Sequence, residues 1–297
     1  MPKSSCTLLP AFTVVAVAGR DARSFLQGQL TNDLLGLERH PGLLAAACDR
    51  EGRVLDILRL AARDDTVLIV VRRALAEPFI ARLRNFVLRA AVSIEDCSDR
   101  LVVAGLMNTS SGESWSQTRA TSAGLTLMIA GPRRMLLLGS SESLEQVFRN
   151  ADQAAPGDWD RACIGDGEPT VYPETAGKWI PQMLNLDLLS AVSFTKGCYV
   201  GQEIVARLQH LGRIKRRMLR YTGPAGASPS PGQALYRGAS PASQVVASCA
   251  DLRGVELLAV TELRYCSELL GARTGGAELV PAGLPYSIPA AATAAES

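Results

Sequence analysis

Across its first half the chain repeats one rhythm, short β-branched runs closed by tight-turn residues and separated by single amphipathic helical segments, and that rhythm narrows the choice of folds. Phe12 to Val17 reads as a strand, and Ala22, Phe25, Leu26 and Leu30 then share one helical face, with Gly28 inside that helix. Leu43 to Cys48 and Val54 to Leu60 flank Asp49-Arg50-Glu51-Gly52, a hairpin turn, and Arg63-Asp64-Asp65 leads into a strand at Thr66 to Val71. Together these runs form a small antiparallel meander. Leu75, Phe79, Ile80, Leu83, Phe86 and Val87 fall at helical spacing in a segment ending near Arg89, which lays an amphipathic helix on the sheet. Strands are expected at Ala91 to Glu95, Leu101 to Leu106, Leu125 to Ile129 and Met135 to Leu138, with a helix at Ser143 to Phe148. This order of elements predicts an α+β fold.

Residues 151 to 195 break the rhythm: they are rich in Pro, Gly, Asp and Trp, have little periodicity, and form the kind of long irregular segment that carries function. A second shift comes at Gly223 to Gly232, a linker or long turn. Beyond it, short strands at Gln233 to Tyr236, Gln244 to Ser248, Val255 to Thr261 and Leu279 to Pro281 suit a small terminal β-barrel or sandwich. The tail from Pro289 has nothing to bury.

Composition excludes several classes. With 47% apolar and 20% charged residues, the 297-residue chain is an ordinary packed protein rather than a disordered one. A net charge of +2 supplies no long-range field toward nucleic acid or an anionic membrane. The N-terminal apolar run is short and broken by charges after Ala18, so neither a signal peptide nor a membrane span is expected, and the cytoplasm is the default location. The seven cysteines are scattered with no C-x-x-C spacing, which argues against a disulfide framework or a preformed cluster site. His40 and His210 lie far apart with no ligand partner nearby, so no metal is expected.

The most informative stretch is Phe194 to Arg207. Lys196-Gly197 reads as a turn into a helix beginning near Cys198, with Val200, Ile204, Val205 and Leu208 as its apolar stripe. Cys198 would then sit at a helix N-terminus beside the Lys196 cation, two features that favour a thiolate; equally, a cysteine there is simply packed against the sheet. Tyr199 and Glu203 are i, i+4 neighbours, and Gln202 with Glu203 either bonds the donor-rich edge of a ring or forms a solvated helix face. Arg207, Arg213, Lys215, Arg216, Arg217 and Arg220 put six cations within fourteen residues. Such a cluster can neutralise phosphates, contact an anionic tail, or guard a strand edge, and no aromatic pattern for RNA accompanies it.

Lys196-Gly197-Cys198-Tyr199-Val200-Gly201-Gln202-Glu203 resembles, residue by residue, the signature K-G-C-[aromatic]-x-G-Q-E of the YgfZ family. Phe25-Leu26-Gln27-Gly28-Gln29-Leu30-Thr31-Asn32-Asp33 is similar to a segment shared with the glycine-cleavage T-protein, and Pro181-Gln182-Met183-Leu184-Asn185-Leu186-Asp187 to the segment before the signature. Arg161, Ile164, Gly165 and Pro169 fit the approach to it, so the resemblance spans roughly residues 8 to 265. It implies a T-protein-like, three-lobed ring whose central hole accepts tetrahydrofolate or a one-carbon derivative, with ferredoxin-like elements and a C-terminal β-barrel. On this basis residues 1–212 form the folate-binding lobes, as two interleaved subdomains, 213–288 the barrel, and 289–297 a disordered tail.

The resemblance further implies support of iron–sulfur client proteins, among them a cluster-dependent tRNA-modifying enzyme, by a monomer that needs neither membrane nor direct nucleic-acid contact. Cys198 is then the reactive group and Lys196 the cation lowering its pKa, while Gln202, Glu203 and Tyr199 shape the folate site. Trp159, Tyr172 and Trp179 are ring-stacking candidates or core anchors, Trp179 being preferred, and Asp33 and Arg207 are further folate contacts. T-protein relatives carry two adjacent acids where this chain has Asp56 followed by Ile57. The missing second acid weighs against the competing function, a folate-dependent aminomethyl-type transferase.

Overall fold

The computed structural model describes residues 4–39, 42–107, 124–211, 214–271 and 278–289. His40, Arg213 and residues 290–297 of the tail lie outside the described residues, as do the side-chain surroundings of His210. Two compact units divide the chain: the first holds Met1–Cys48, Asp56–Trp159 and Ala191–Val200, the second Asp49–Leu55, Asp160–Ser190 and Gly201–Ser297.

In the first unit the elements run β1 (Ser5–Leu8), β2 (Phe12–Ala18), α1 (Ala22–Gln27), β3 (Leu43–Cys48), β4 (Val54–Arg63), β5 (Thr66–Arg72), α2 (Arg73–Phe86), β6 (Ser93–Asp96) and β7 (Val102–Met107). They continue with β8 (Thr126–Gly131), β9 (Arg134–Gly139), α3 (Ser141–Asn150) and β10 (Asp152–Gln153); α4 (Pro156–Gly165) starts in this unit and passes into the second after Trp159, and Val54–Leu55 at the start of β4 belong to the second. One sheet has the order β3-β4-β5-β2-β6, so the expected meander forms and β2 joins it antiparallel to β5. The other has the order β10-β1-β7-β9-β8 and packs Cys6, Ala104, Leu137 and Leu144 into one apolar cluster with α3. Trp159 anchors beside this sheet: it is buried under the Arg134 guanidinium at 5.0 Å, and a Cβ on Gly105 would stand 2.3 Å from its ring. Of its two sequence readings, the core anchor is the one the structure adopts.

Several boundaries differ from the sequence reading. α1 stops at Gln27 with Gly28 as its cap, and Leu30 forms a bridge to Ala47 instead of a further helical turn. Glycine is a poor helix residue, and burial of Leu30 in the sheet outweighs one more turn. α2 ends at Phe86, short of Arg89. The irregular segment contains α4, whose opening proline supplies a preset φ at the first helical turn despite the polar composition around it.

The second unit contains α5 (Gln202–Leu211), β11 (Arg216–Gly223), β12 (Ala234–Arg237), β13 (Ser240–Asp251), β14 (Gly254–Glu262), β15 (Leu270–Gly271) and β16 (Glu278–Ala282). The strands close in the order β11-β14-β13-β12-β15-β16, with β11 pairing to β16, so the terminal sheet is a barrel and not a sandwich. Closure removes exposed strand edges. Tyr221, Leu235, Val245, Leu257 and Leu279 fill the interior, and the Tyr221 hydroxyl lies 3.0 Å from that of Thr261. β11 escapes the sequence reading because Arg216, Arg217 and Arg220 mask its alternation.

Candidate functional site

The first unit holds the front half of the Lys196–Glu203 stretch. Its backbone is laced to the loop after α1: Thr31 Oγ1 donates to Ala191 O at 2.7 Å, Ser193 N to Thr31 O at 3.0 Å, and Val200 N to Gly28 O at 3.3 Å. Lys196 is buried and fastens the two segments, its ammonium donating to Leu30 O at 2.8 Å and Asn32 O at 2.5 Å while standing 5.3 Å from the Tyr199 ring. Burial pulls its pKa down to about 8, against the opposing pull of the Asp33 carboxylate.

Cys198 is exposed between these two buried side chains. The expectation that it begins a helix is corrected here: α5 starts at Gln202, because Gly201 has φ +85 and interrupts any helix running through it. Lys196, expected to lower the pKa of this thiol, directs both of its ammonium hydrogen bonds to backbone carbonyls. The helix begins four residues after the thiol, which is an accessible cysteine on a fastened loop.

Beneath that loop the first unit buries polar atoms without hydrogen-bond partners among the described residues: Gln29 Oε1, Asp56 Oδ2 and the Tyr199 hydroxyl. Buried polar atoms are nearly always paired, so such a group asks for an explanation. The contacts that do exist put these residues in one neighbourhood. Arg82 donates to Cys48 O at 3.3 Å and its charge reaches Asp56, the Tyr199 phenol senses Cys48, and the Val200 amide bonds Gly28 beside Gln29.

Asp56 Oδ1 accepts from Ile57 N at 2.8 Å, yet burial pushes the carboxyl up to about 8 in spite of that bond and of Arg72 and Arg82. Tyr199 is likewise pushed up by burial. A carboxyl poised near neutrality is a general acid or base by its physics, and unpaired acceptors suit a donor-rich ring edge. Sequence reasoning gave Asp56 and Gln29 no role. The signal for Asp56 was present, because strand alternation puts it on the buried face of β4 with Val54, Leu58 and Leu60.

Asp33 is engaged locally, its Oδ1 accepting from Gln27 Nε2 and Leu35 N, each at 3.0 Å. This is how a polar residue ends a helix-to-loop turn.

The second unit holds the remaining predicted residues. Trp179 is 4% exposed and its carbonyl accepts from Val54 N at 2.7 Å, so little of its ring is open to a ligand. Gly201 fits tightly: a Cβ there would lie 2.4 Å from Asp49 O and 2.9 Å from the Cα of Gly52. Gln202 opens α5, and Glu203 pairs with Arg207 at 2.7 Å on an exposed helix face. Most of the described members of the basic cluster are likewise paired. Arg217 forks onto Asp187 at 2.7 and 2.9 Å, Arg220 meets Glu256 at 2.5 Å, and Arg216 meets Glu262 at 3.1 Å. Among the described residues no group of His, Cys, Asp and Glu could hold a metal ion, and no helix is long and apolar enough to cross a membrane.

Comparison with known proteins follows the same lines. No family model matches the chain. The glycine cleavage system aminomethyltransferase T of Bartonella henselae superposes with a TM-score of 0.75 at 13% identity, covering 95% of this chain and 86% of that one, which shows the fold. A tRNA-modifying protein YgfZ of Edwardsiella ictaluri is 32% identical over 235 residues, 72% of this chain and 70% of the relative. That of Escherichia coli O157:H7 is 29% identical over 242 residues, 76% and 74% of the two chains. For that of Vibrio atlanticus the figures are 30% over 227 residues, 73% and 69%. With two of these relatives at or above 30% identity over most of both chains, and the signature read from Lys196 to Glu203 standing intact, the chain belongs to the YgfZ family.

Proposed function

We propose that the protein binds tetrahydrofolate or a one-carbon derivative and supports assembly or repair of iron–sulfur cluster proteins, including cluster-dependent tRNA modification, through Cys198. The observation that carries this reading is an exposed cysteine on a loop fastened by buried Lys196 above buried, unpaired polar atoms. The relatives' name, tRNA-modifying protein, supports the tRNA side of it. Gln29, Asp56 and Tyr199 fit the donors of a pterin ring and would hold it. When bound, tetrahydrofolate supplies a carrier for one-carbon units. The cluster is cargo: a lone thiolate cannot retain it, so the client provides the other ligands. On this reading the protein works as a cytoplasmic monomer.

The test is Cys198→Ala, assayed for rescue of a cluster-dependent tRNA-modifying enzyme in cells lacking the protein, beside calorimetric titration with tetrahydrofolate. Rescue is expected to vanish while folate affinity and melting temperature hold. Folded wild-type protein that does not bind tetrahydrofolate overturns the reading.

Asp56 favours a second reading, the aminomethyl-type transferase, since one carboxyl near neutral pKa can serve as the acid or base that the absent second acid would have been. That reading requires Asp56→Asn to abolish one-carbon transfer to tetrahydrofolate and Cys198→Ala to leave it intact.

A further inference from the structure

The second unit carries a cavity of about 640 Å³, within the size range of small-molecule sites, that the folate reading leaves unused. Its apolar lining comes from Ile180, Met183, Ile204, Leu208 and Ile214. All five are half-buried, so part of each side chain stays open to solvent. Ile204 and Leu208 are one turn apart on α5, and Met183 belongs to the 3-10 turn Pro181–Leu184, so the apolar wall stands on regular structure.

Among the described residues, Arg50, Arg53, Lys215 and Arg216 stand around this wall with one acid, Glu51. Arg53 is occupied by Glu51 at 3.4 Å and by Lys178 O at 3.2 Å, and Arg216 by Glu262 at 3.1 Å. The side chains of Arg50 and Lys215 have no ion pair or hydrogen bond among the described residues and are exposed. An apolar wall with two uncommitted cations at its mouth is complementary to a molecule that is apolar along its body and anionic at one end. Among the described residues no aromatic side chain lines the cavity, so they offer no stacking platform of the kind nucleobases use.

We propose that this cavity binds an amphipathic organic carboxylate, its apolar body against Met183, Ile204 and Leu208 and its anion between Arg50 and Lys215. The probes are dodecanoate, titrated by calorimetry into the full chain, and anilinonaphthalene sulfonate, followed by fluorescence and displaced by dodecanoate. One saturable site is expected, weakened about tenfold in the Arg50→Glu/Lys215→Glu double variant and about as much in Met183→Gln, at unchanged melting temperature. No saturable binding, or equal affinity in wild type and both variants, overturns the proposal.

Displacement of the dye by tetrahydrofolate would also overturn it, by making the cavity part of the folate site. A tRNA that binds wild type and not the double variant, without competition from dodecanoate and with no dodecanoate site, would replace it with a nucleic-acid surface. Tetrahydrofolate titrated into the same variants is expected to bind unchanged, so failure of the folate reading and failure of this one give different results.

Discussion

Lys196 and Glu203 close the two ends of one short signature and live in opposite conditions. Lys196 is buried, holds two backbone carbonyls and flanks an exposed cysteine, whereas Glu203 lies on a solvated face of α5 and pairs with Arg207. Between them Gly201, with its positive φ and its close approach to Asp49 and Gly52, marks the change from the first unit to the second. Contiguity in a motif therefore does not mean a shared role. The front half fixes a loop, the glycine permits a turn that no side chain tolerates, and the back half contributes a helix.

The sharpest way to break this comparison is Lys196→Met, which removes the ammonium that donates to Leu30 O and Asn32 O. Urea unfolding near neutral pH is expected to show a loss of about 3 kcal/mol, and a loss near zero would mean that the loop is held by other means. Next comes Gly201→Ala, expected to cost about 2 kcal/mol because the new Cβ meets backbone at a positive φ. Gly197→Ala is the matched control: a Cβ there meets nothing within 4 Å, so a change within about 0.5 kcal/mol is expected.

Asp56 sharpens the first-unit side through pH. Its folded pKa, about 8, lies above the unfolded value, so its contribution to stability is fully present below the unfolded pKa and is lost as pH rises through 8. Asp56→Asn is expected to flatten the decline in stability between about pH 5 and pH 8, by up to ~1.4 kcal/mol per pH unit, in urea titrations at matched pH. Lys196 runs in a separate window: its lowered pKa raises stability as pH climbs from about 8 toward the ordinary lysine value. The smallest effect belongs to Glu203→Gln, about 0.5 kcal/mol or less, because an exposed i, i+4 pair contributes little.

Much of the fold was legible in the chain because local pattern and burial agree. Strands β2 to β5 and α2 sit where β-branched runs and helical spacing put them, and the hairpin turn at Asp49–Gly52 joins β3 to β4 as expected. The signature was legible as well, through residue identity at fixed spacing. Illegible elements were those whose composition hides their geometry, such as β11 with its arginines and α4 inside a polar, proline-opened segment.

The sequence by itself determined the fold class, the terminal barrel strands β12, β13, β14 and β16 and the residues of the signature, because these depend on periodicity and side-chain type. Tertiary structure alone decided what those residues do. It sent the Lys196 ammonium to carbonyls distant in sequence, moved the helix start to Gln202, paired Arg216, Arg217 and Arg220 with acids from other elements, and buried Asp56 with one oxygen unpaired. The physical reason is that desolvation and hydrogen-bond pairing depend on neighbours in space, and those neighbours come from parts of the chain that a linear pattern cannot bring together.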